Sequence, residues 1–155
     1  MTYRIQGLSP APFAALFGLP DEALPERGAL RVTADKDFGF PCRITLEDAQ
    51  PGETLILLNH VSQEAATPYR ASHAIFVREG ANEPASYVDE TPPVFAGRIL
   101  SLRGFDAEGM MVDARLAAPG EADARIRELF EQPAIVAIHA HNATRGCFAA
   151  RIERN

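Results

Sequence analysis

The sequence predicts a single α+β domain over residues 1–155, with a mostly antiparallel β-sheet and two or three helices. Three observations lead to this class. The chain has 155 residues, the usual size of one domain. Its hydrophobic content of 46% and charged content of 23% are those of a folded globular protein. Segments with strand-like alternation occupy the middle of the chain, whereas helix-like segments lie near its ends.

The first half of the chain predicts one helix and several strands. The segment "TYRIQGL" is typical of a short strand, and "SPAPFAALFGL" predicts a helix capped by Ser9 with Pro10 in its first turn. The segments "ALRVTA" and "CRITLE" alternate as strands do, with Ile44 on one face and Arg43 on the other. The segments "TLILLNHV" and "RASHAIFVRE" predict two further strands, the first of them apolar enough to be buried on both faces.

The second half predicts a long loop, two hairpins and a helix. Residues 80–94 show no periodicity and are expected to form a loop that can act as a lid. The segment "GRILSLRGFDAEGMMVDARLA" predicts a hairpin that turns at residues 106–109. The segment "EADARIRELFEQP" predicts a helix, since Ile126 and Leu129 form an apolar stripe. The last segment, "IVAIHAHNATRGCFAARIER", alternates as a second hairpin.

Composition excludes several classes of function. The formal net charge of -6 argues against a general nucleic-acid binder, which normally carries a basic surface. The chain shows no signal peptide and no apolar run of about 18 residues, so a cytoplasmic protein without a membrane partner is expected. The two cysteines, Cys42 and Cys147, match no CxxC spacing and are expected to be reduced.

The final hairpin places unusual side chains on what should be its solvent face. Alternation puts His139 and His141 on one face, opposite the apolar row of the same strand. If Phe148 and Ile152 both enter the core, Cys147 and Arg151 fall on the histidine face. With a loop of residues 142–146, His141 lies opposite Cys147; a tighter loop brings His139 opposite the same cysteine. This face is expected either to be covered, for instance by the helix within residues 121–132, or to line a pocket.

Several interpretations of this face remain open. The simplest is a packed layer of hydrogen-bonded histidines with no ligand. A second is a metal site at His139 and His141, which lie about 7 Å apart on one strand face. That site needs a third ligand, which His73, His60 or Cys147 could supply. The sequence specifies no cofactor.

A third interpretation is catalytic. Cys147 would be a nucleophile, His141 its base, and Arg145, two residues earlier, would favour the thiolate. Such an arrangement is chemically adequate but common by chance.

Our leading hypothesis is the binding of a small anionic ligand, with or without catalysis. The expected ligand-binding residues are five side chains that could converge on one cavity: Arg70, His73, His139, Arg145 and Arg151. Guanidinium groups suit carboxylate or phosphate because their fork donates to two oxygens at once. The alternative is a non-catalytic interaction or structural protein, for example a homodimer, with the histidine face packed and an exposed apolar patch at Phe13 and Phe17.

Three segments carry a resemblance to a known family. The stretches "FPCRITLEDAQPGE", "TPYRASHAIFVRE" and "HAHNATRGCFAARIER" resemble small bacterial proteins grouped as domain of unknown function 1203 (DUF1203). The resemblance runs nearly end to end and implies a bacterial, single-domain protein. It brings no activity, cofactor or catalytic residue. Nucleotide-binding and hydrolase motifs such as GxGxxG, GxxxxGK[ST], HExxH and GxSxG are absent from the sequence.

Overall fold

The computed structural model describes residues 1–155 and contains two antiparallel sheets, one α-helix and four short 3-10 turns. The strands and the helix, in chain order, are β1 (Tyr3–Gln6), β2 (Ala29–Thr33), β3 (Thr54–Gln63), β4 (Ala71–Arg78), β5 (Ser86–Val88), β6 (Leu100–Phe105), β7 (Met111–Ala117), α1 (Ala122–Phe130), β8 (Ala137–Asn142) and β9 (Phe148–Arg154). The predicted α+β class with mostly antiparallel strands is confirmed. No helix is long and apolar enough to cross a membrane.

The larger sheet forms the middle of three layers. It has six strands in the order β5-β1-β9-β8-β6-β7, and the smaller sheet has the order β2-β3-β4. Helix α1 covers one face of the larger sheet, where Ile126 and Leu129 join Leu102 and Ile138 in one apolar core. The smaller sheet contacts the opposite face. The helix was expected to cover the histidine face; this is wrong, because its apolar stripe packs against the apolar side of β6 and β8.

Alternation alone predicted most of the strands. The structure confirms β1 to β4, the β6-β7 hairpin and α1. In that hairpin the backbone N–H of Gly109 donates to the carbonyl of Asp106 at 3.1 Å, which closes the predicted turn. Gly109 has φ of 82° and lies against Ala65 of the β3-β4 connection, so the two hairpin ends touch.

Two predicted elements near the N-terminus are wrong. The stretch "SPAPFAALFGL" forms only a single 3-10 turn at Ala14–Leu16, because prolines break its start and Gly18 breaks its end. The stretch "CRITLE" is a turn, not a strand: the N–H of Leu46 donates to the carbonyl of Cys42, and Leu46 has φ of 55°. The turn sends Ile44 into the core beside the smaller sheet and Leu46 into the core under α1, which a straight strand could not do.

The segment of residues 80–94 is not a free loop. It contains β5, which pairs with β1 at one edge of the larger sheet. The segment is therefore held at the sheet edge and does not hang over the histidines. The predicted apolar patch is also wrong, because Phe13 is only 4% exposed and packs against His60. The homodimer stays a prediction.

The final hairpin forms as predicted, but with a different register. His139 pairs with Arg151 and Ala140 with Ala150, after which the register shifts and His141 pairs with Phe148. This bulge adds one residue to β9 and reverses the orientation of its first side chains. Phe148 therefore lies on the histidine face instead of in the core under α1, and Cys147 lies in the connecting loop, not opposite a histidine.

Candidate functional site

All four histidines of the chain meet between the two sheets. His139 and His141 extend from β8 of the larger sheet, while His60 and His73 are directly opposed on β3 and β4 of the smaller one. The ring centroids of His73 and His141 are 4.9 Å apart. The Phe148 ring lies among them, 5.6 Å from His60, 5.7 Å from His139 and 5.9 Å from His141. We call the four histidines, His60, His73, His139 and His141, the histidine layer.

Hydrogen bonds fix the protonation of the two most deeply buried rings. Arg151 Nη1 lies 3.2 Å from His139 Nε2, and because arginine can only donate, this nitrogen must be an unprotonated acceptor. His139 is therefore neutral, with its proton on Nδ1. His141 Nδ1 lies 2.9 Å from the carbonyl of Gly146 and donates to it, which leaves Nε2 bare in a neutral ring.

The surroundings keep the histidine layer uncharged. Burial, reinforced by the positive charge of Arg151, lowers the pKa of His139 to about 3, and burial lowers the pKa of His141 to about 4. Burial also lowers the pKa of His60 and of His73. His139 and His141 are covered by protein, since they are only 1% and 2% exposed.

Two arginines border the histidine layer without any carboxylate partner. Arg43, only 2% exposed, donates to the carbonyls of Phe148 at 2.8 Å and Pro41 at 2.7 Å. Arg103 of β6 lies opposite His139 in the sheet, and the one hydrogen bond of its side chain is donated by Nε to Ser101 Oγ at 3.3 Å. Burial lowers the pKa of both guanidinium groups. Neither arginine forms an ion pair, although every ion pair of this chain joins an arginine to an aspartate or a glutamate.

Sequence reasoning missed both arginines. Arg103 alternates with the buried Leu102 in "LSLRGF", which was a usable signal, but the pairing of β6 with β8 that brings it to His139 is not readable from the sequence. Arg43 was placed on the strand face opposite Ile44 because "CRITLE" was interpreted as a strand. The turn that replaces the strand points its side chain inward.

The cysteine predicted as a nucleophile has different neighbours from those expected. Arg43 Nη2 lies 3.2 Å from Cys147 Sγ, and Asn142 Nδ2 lies 3.5 Å from the same sulfur. Arg145, the expected activating residue, is exposed and makes neither a hydrogen bond nor an ion pair. His141, the expected base, uses its Nδ1 on Gly146. Cys147 is partly exposed, whereas Cys42 is buried, and both cysteines are free.

The expected ligand-binding residues are brought together only in part. His73 and His139 belong to the histidine layer, and Arg151 contacts His139 while it also pairs with Glu153 at 2.7 Å. Arg70 is exposed and donates to the carbonyl of Glu64 at 2.6 Å instead of to a histidine. Two surface cavities, of about 350 and 370 Å³, lie elsewhere; Arg151 lines the second, and none of the four histidines lines either.

The histidine layer does not present a ready-made metal centre. No three or more His, Cys, Asp or Glu side chains are grouped so that they could hold a metal ion together. His139 Nε2 and His141 Nδ1 are already occupied by Arg151 and by the Gly146 carbonyl. The metal site at these two residues stays a prediction.

The fold and the site define a class: a three-layered α+β protein with neutral histidines and uncompensated arginines between its two sheets. Residues 39–154 match the family model described as "Protein of unknown function (DUF1203)", and the chain belongs to this family. The match includes all the residues of the histidine layer. No curated protein and no solved structure matches the chain.

Proposed function

We propose that this protein binds a small anionic molecule, a carboxylate or a phosphate, at the partly exposed edge of the histidine layer. Arg103 and His73 are the donors. The observation that carries the proposal is the pair of arginines, Arg43 and Arg103, which lie beside the histidine layer without a carboxylate in a chain of net charge -6.

Electrostatics favour an anion here. The positive charge of Arg103 contributes to lowering the pKa of His73, His139 and His141, and Arg43 does so for His60, His73 and His141. Among the largest effects on the pKa values of these four rings, the one carboxylate is Glu64, which opposes the lowering of the pKa of His60. An anion placed there would meet two guanidinium charges and little competition from carboxylates.

A ligand from solvent can reach Arg103 and His73 more easily than the buried side chains of the layer. His73, Arg103 and Ser101 are partly exposed, whereas His139, His141 and Arg43 are buried. The free forks of the Arg103 guanidinium can donate to two oxygens of a carboxylate or phosphate. A bound anion would also favour the charged form of His73, so we expect binding to take up a proton near neutral pH.

Titration with inorganic phosphate and with acetate, at constant ionic strength, tests this function. In wild type we expect a saturable shift of the His73 imidazole signals in the NMR spectrum with at least one of these anions. Arg103→Gln should weaken that binding roughly tenfold or more, since a lost charge-assisted hydrogen bond costs about 1.5–3 kcal/mol.

A matched variant distinguishes binding at Arg103 from a general effect of removing one positive charge. Arg115→Gln removes an arginine of β7 that is paired with Asp113 at 2.8 Å, so it should leave anion binding unchanged. Equal titration curves for wild type, Arg103→Gln and Arg115→Gln would refute the proposed site.

A further inference from the structure

Strand β7 is an edge strand whose outer side pairs with no other strand. It ends the six-stranded sheet and has seven residues, whereas β5, at the opposite end, has only three. An open edge presents backbone donors and acceptors to which another strand can add, and natural proteins usually keep such edges short or covered. An uncovered edge as long as β7 is therefore a candidate interface.

One face of β7 is apolar and exposed. The burial of its side chains alternates, and the exposed positions are Val112, Ala114 and Leu116. Leu116 is 65% exposed, more than any other large apolar side chain of the protein, and Val112 is 39% exposed. Since Ala114 pairs with Arg103, this row lies on the face of the sheet opposite α1, where the helix does not cover it.

The other face of β7 carries one carboxylate and one guanidinium, on either side of Ala114. Asp113 and Arg115 form an ion pair at 2.8 Å within the chain. They also bind the backbone of Ala114, whose N–H donates to Asp113 Oδ1 at 2.8 Å and whose carbonyl accepts from Arg115 Nη1 at 2.8 Å. These two side chains therefore occupy the backbone groups that a neighbouring strand would bind at the open edge.

The sequence of β7 is self-complementary about Ala114. When a second copy lies antiparallel with the two Ala114 residues opposed, Asp113 faces Arg115 of the other copy at both positions, and Val112 faces Leu116. Because the N–H and the carbonyl of Ala114 both point away from β6, the opposed alanines can exchange two backbone hydrogen bonds. A shift of two residues in either direction would oppose like charges, Arg115 with Arg115 or Asp113 with Asp113, so the charges specify this register.

We propose that two copies of this chain form a homodimer by antiparallel pairing of their β7 strands, centred on Ala114. The pairing joins the two larger sheets into one continuous sheet with six strands from each copy. In the dimer the backbone of Ala114 exchanges its side-chain partners for backbone partners, and Asp113 of each copy binds Arg115 of the other. Because both copies use the same strand, the association ends at two copies. It uses neither Arg103 nor His73, so it does not depend on the anion site.

Sedimentation equilibrium over about 5 to 500 µM protein tests the dimer. We expect a reversible monomer-dimer equilibrium for wild type, and Leu116→Lys should raise the dissociation constant about tenfold or more. The substituted side chain is exposed, so the variant should fold as wild type does, which circular dichroism would check. A monomer at every concentration, or equal dissociation constants for wild type and Leu116→Lys, would overturn the proposal.

Charge reversal tests the register. Asp113→Arg opposes arginine to arginine in the homodimer, and Arg115→Asp opposes aspartate to aspartate, so each variant alone should dissociate about tenfold or more readily than wild type. An equimolar mixture of the two variants restores opposite charges at both positions and should form a heterodimer. Arg145→Asp makes the same change of charge in the exposed β8-β9 loop and should associate as wild type does. A mixture that stays monomeric, or an Arg145→Asp variant that dissociates as Arg115→Asp does, would refute the pairing of Asp113 with Arg115.

Discussion

Replacing Arg43 with alanine is expected to lower the free energy of unfolding by about 3 kcal/mol or more. Two hydrogen bonds from the guanidinium join the turn around Arg43 to β9 and to the last loop, through Phe148 and Cys147, and a third, to the carbonyl of Pro41, stays within the turn. Hydrogen bonds that involve a charged group contribute about 1.5–3 kcal/mol each, and relief of the buried charge offsets only part of their loss. Urea unfolding of wild type and variant would measure the difference.

The control is an arginine of the same region that forms no hydrogen bond and no ion pair. Arg145→Ala should change the free energy of unfolding by less than about 0.5 kcal/mol, because this side chain is exposed and unpartnered. If Arg43→Ala lowered the free energy of unfolding as little as this control does, the hydrogen bonds of Arg43 would not stabilise the contact between the turn and the last hairpin.

Acid should destabilise this protein well before its surface carboxylates are protonated. The unfolded chain carries histidines with the ordinary pKa of about 6.5, but burial lowers the pKa of His139 to about 3 and that of His141 to about 4. Between these values the unfolded state binds more protons, so stability is fully present above pH 6.5 and falls as pH decreases. Each of the two histidines should contribute a loss of about 2 kcal/mol between pH 6.5 and 4.5.

The groups around His139 act in the same direction. Arg151 of β9, His141 of β8, Arg103 of β6 and His60 of β3 all disfavour a charge on this ring. The free energy of unfolding from urea curves at pH 7, 6, 5 and 4.5 would measure the effect. His139→Gln should reduce the slope by close to one proton, or about 1.4 kcal/mol per pH unit, whereas His73→Gln, at a partly exposed ring, should reduce it less. An identical slope for wild type and His139→Gln would contradict this explanation.

The alternation of residue types correctly predicted the structural features that depend on residues close together in sequence. Alternation placed β3, β4 and the β6-β7 hairpin, and it placed His139 and His141 on one face of β8. These features follow from the side-chain period of a strand, which any stretch of six or more residues displays.

The features that the sequence could not predict depend on strand pairing between distant segments and on single residues with an irregular backbone conformation. One extra residue in β9 moved Phe148 to the histidine face, and one residue with positive φ, Leu46, turned a predicted strand into a loop. These two changes explain why Arg43, and not the nearer Arg145, reaches Cys147.

The gathering of the four histidines is likewise a tertiary effect. His60 and His73 are opposed in the smaller sheet, but their meeting with His141 requires two sheets to pack in one orientation. The separation of about 70 residues between His73 and His141 carries no local signal.

The most direct test of the account is a nitrogen-15 NMR spectrum of the histidine side chains at pH 5.5. The account predicts that His139 and His141 are both neutral there, each with its proton on Nδ1 and a bare Nε2, as the contacts to Arg151 and to the Gly146 carbonyl require. An unperturbed imidazole would be mostly charged at this pH. A charged ring at either position, or a proton on Nε2, would contradict the central claim that a neutral histidine layer lies beside uncompensated arginines.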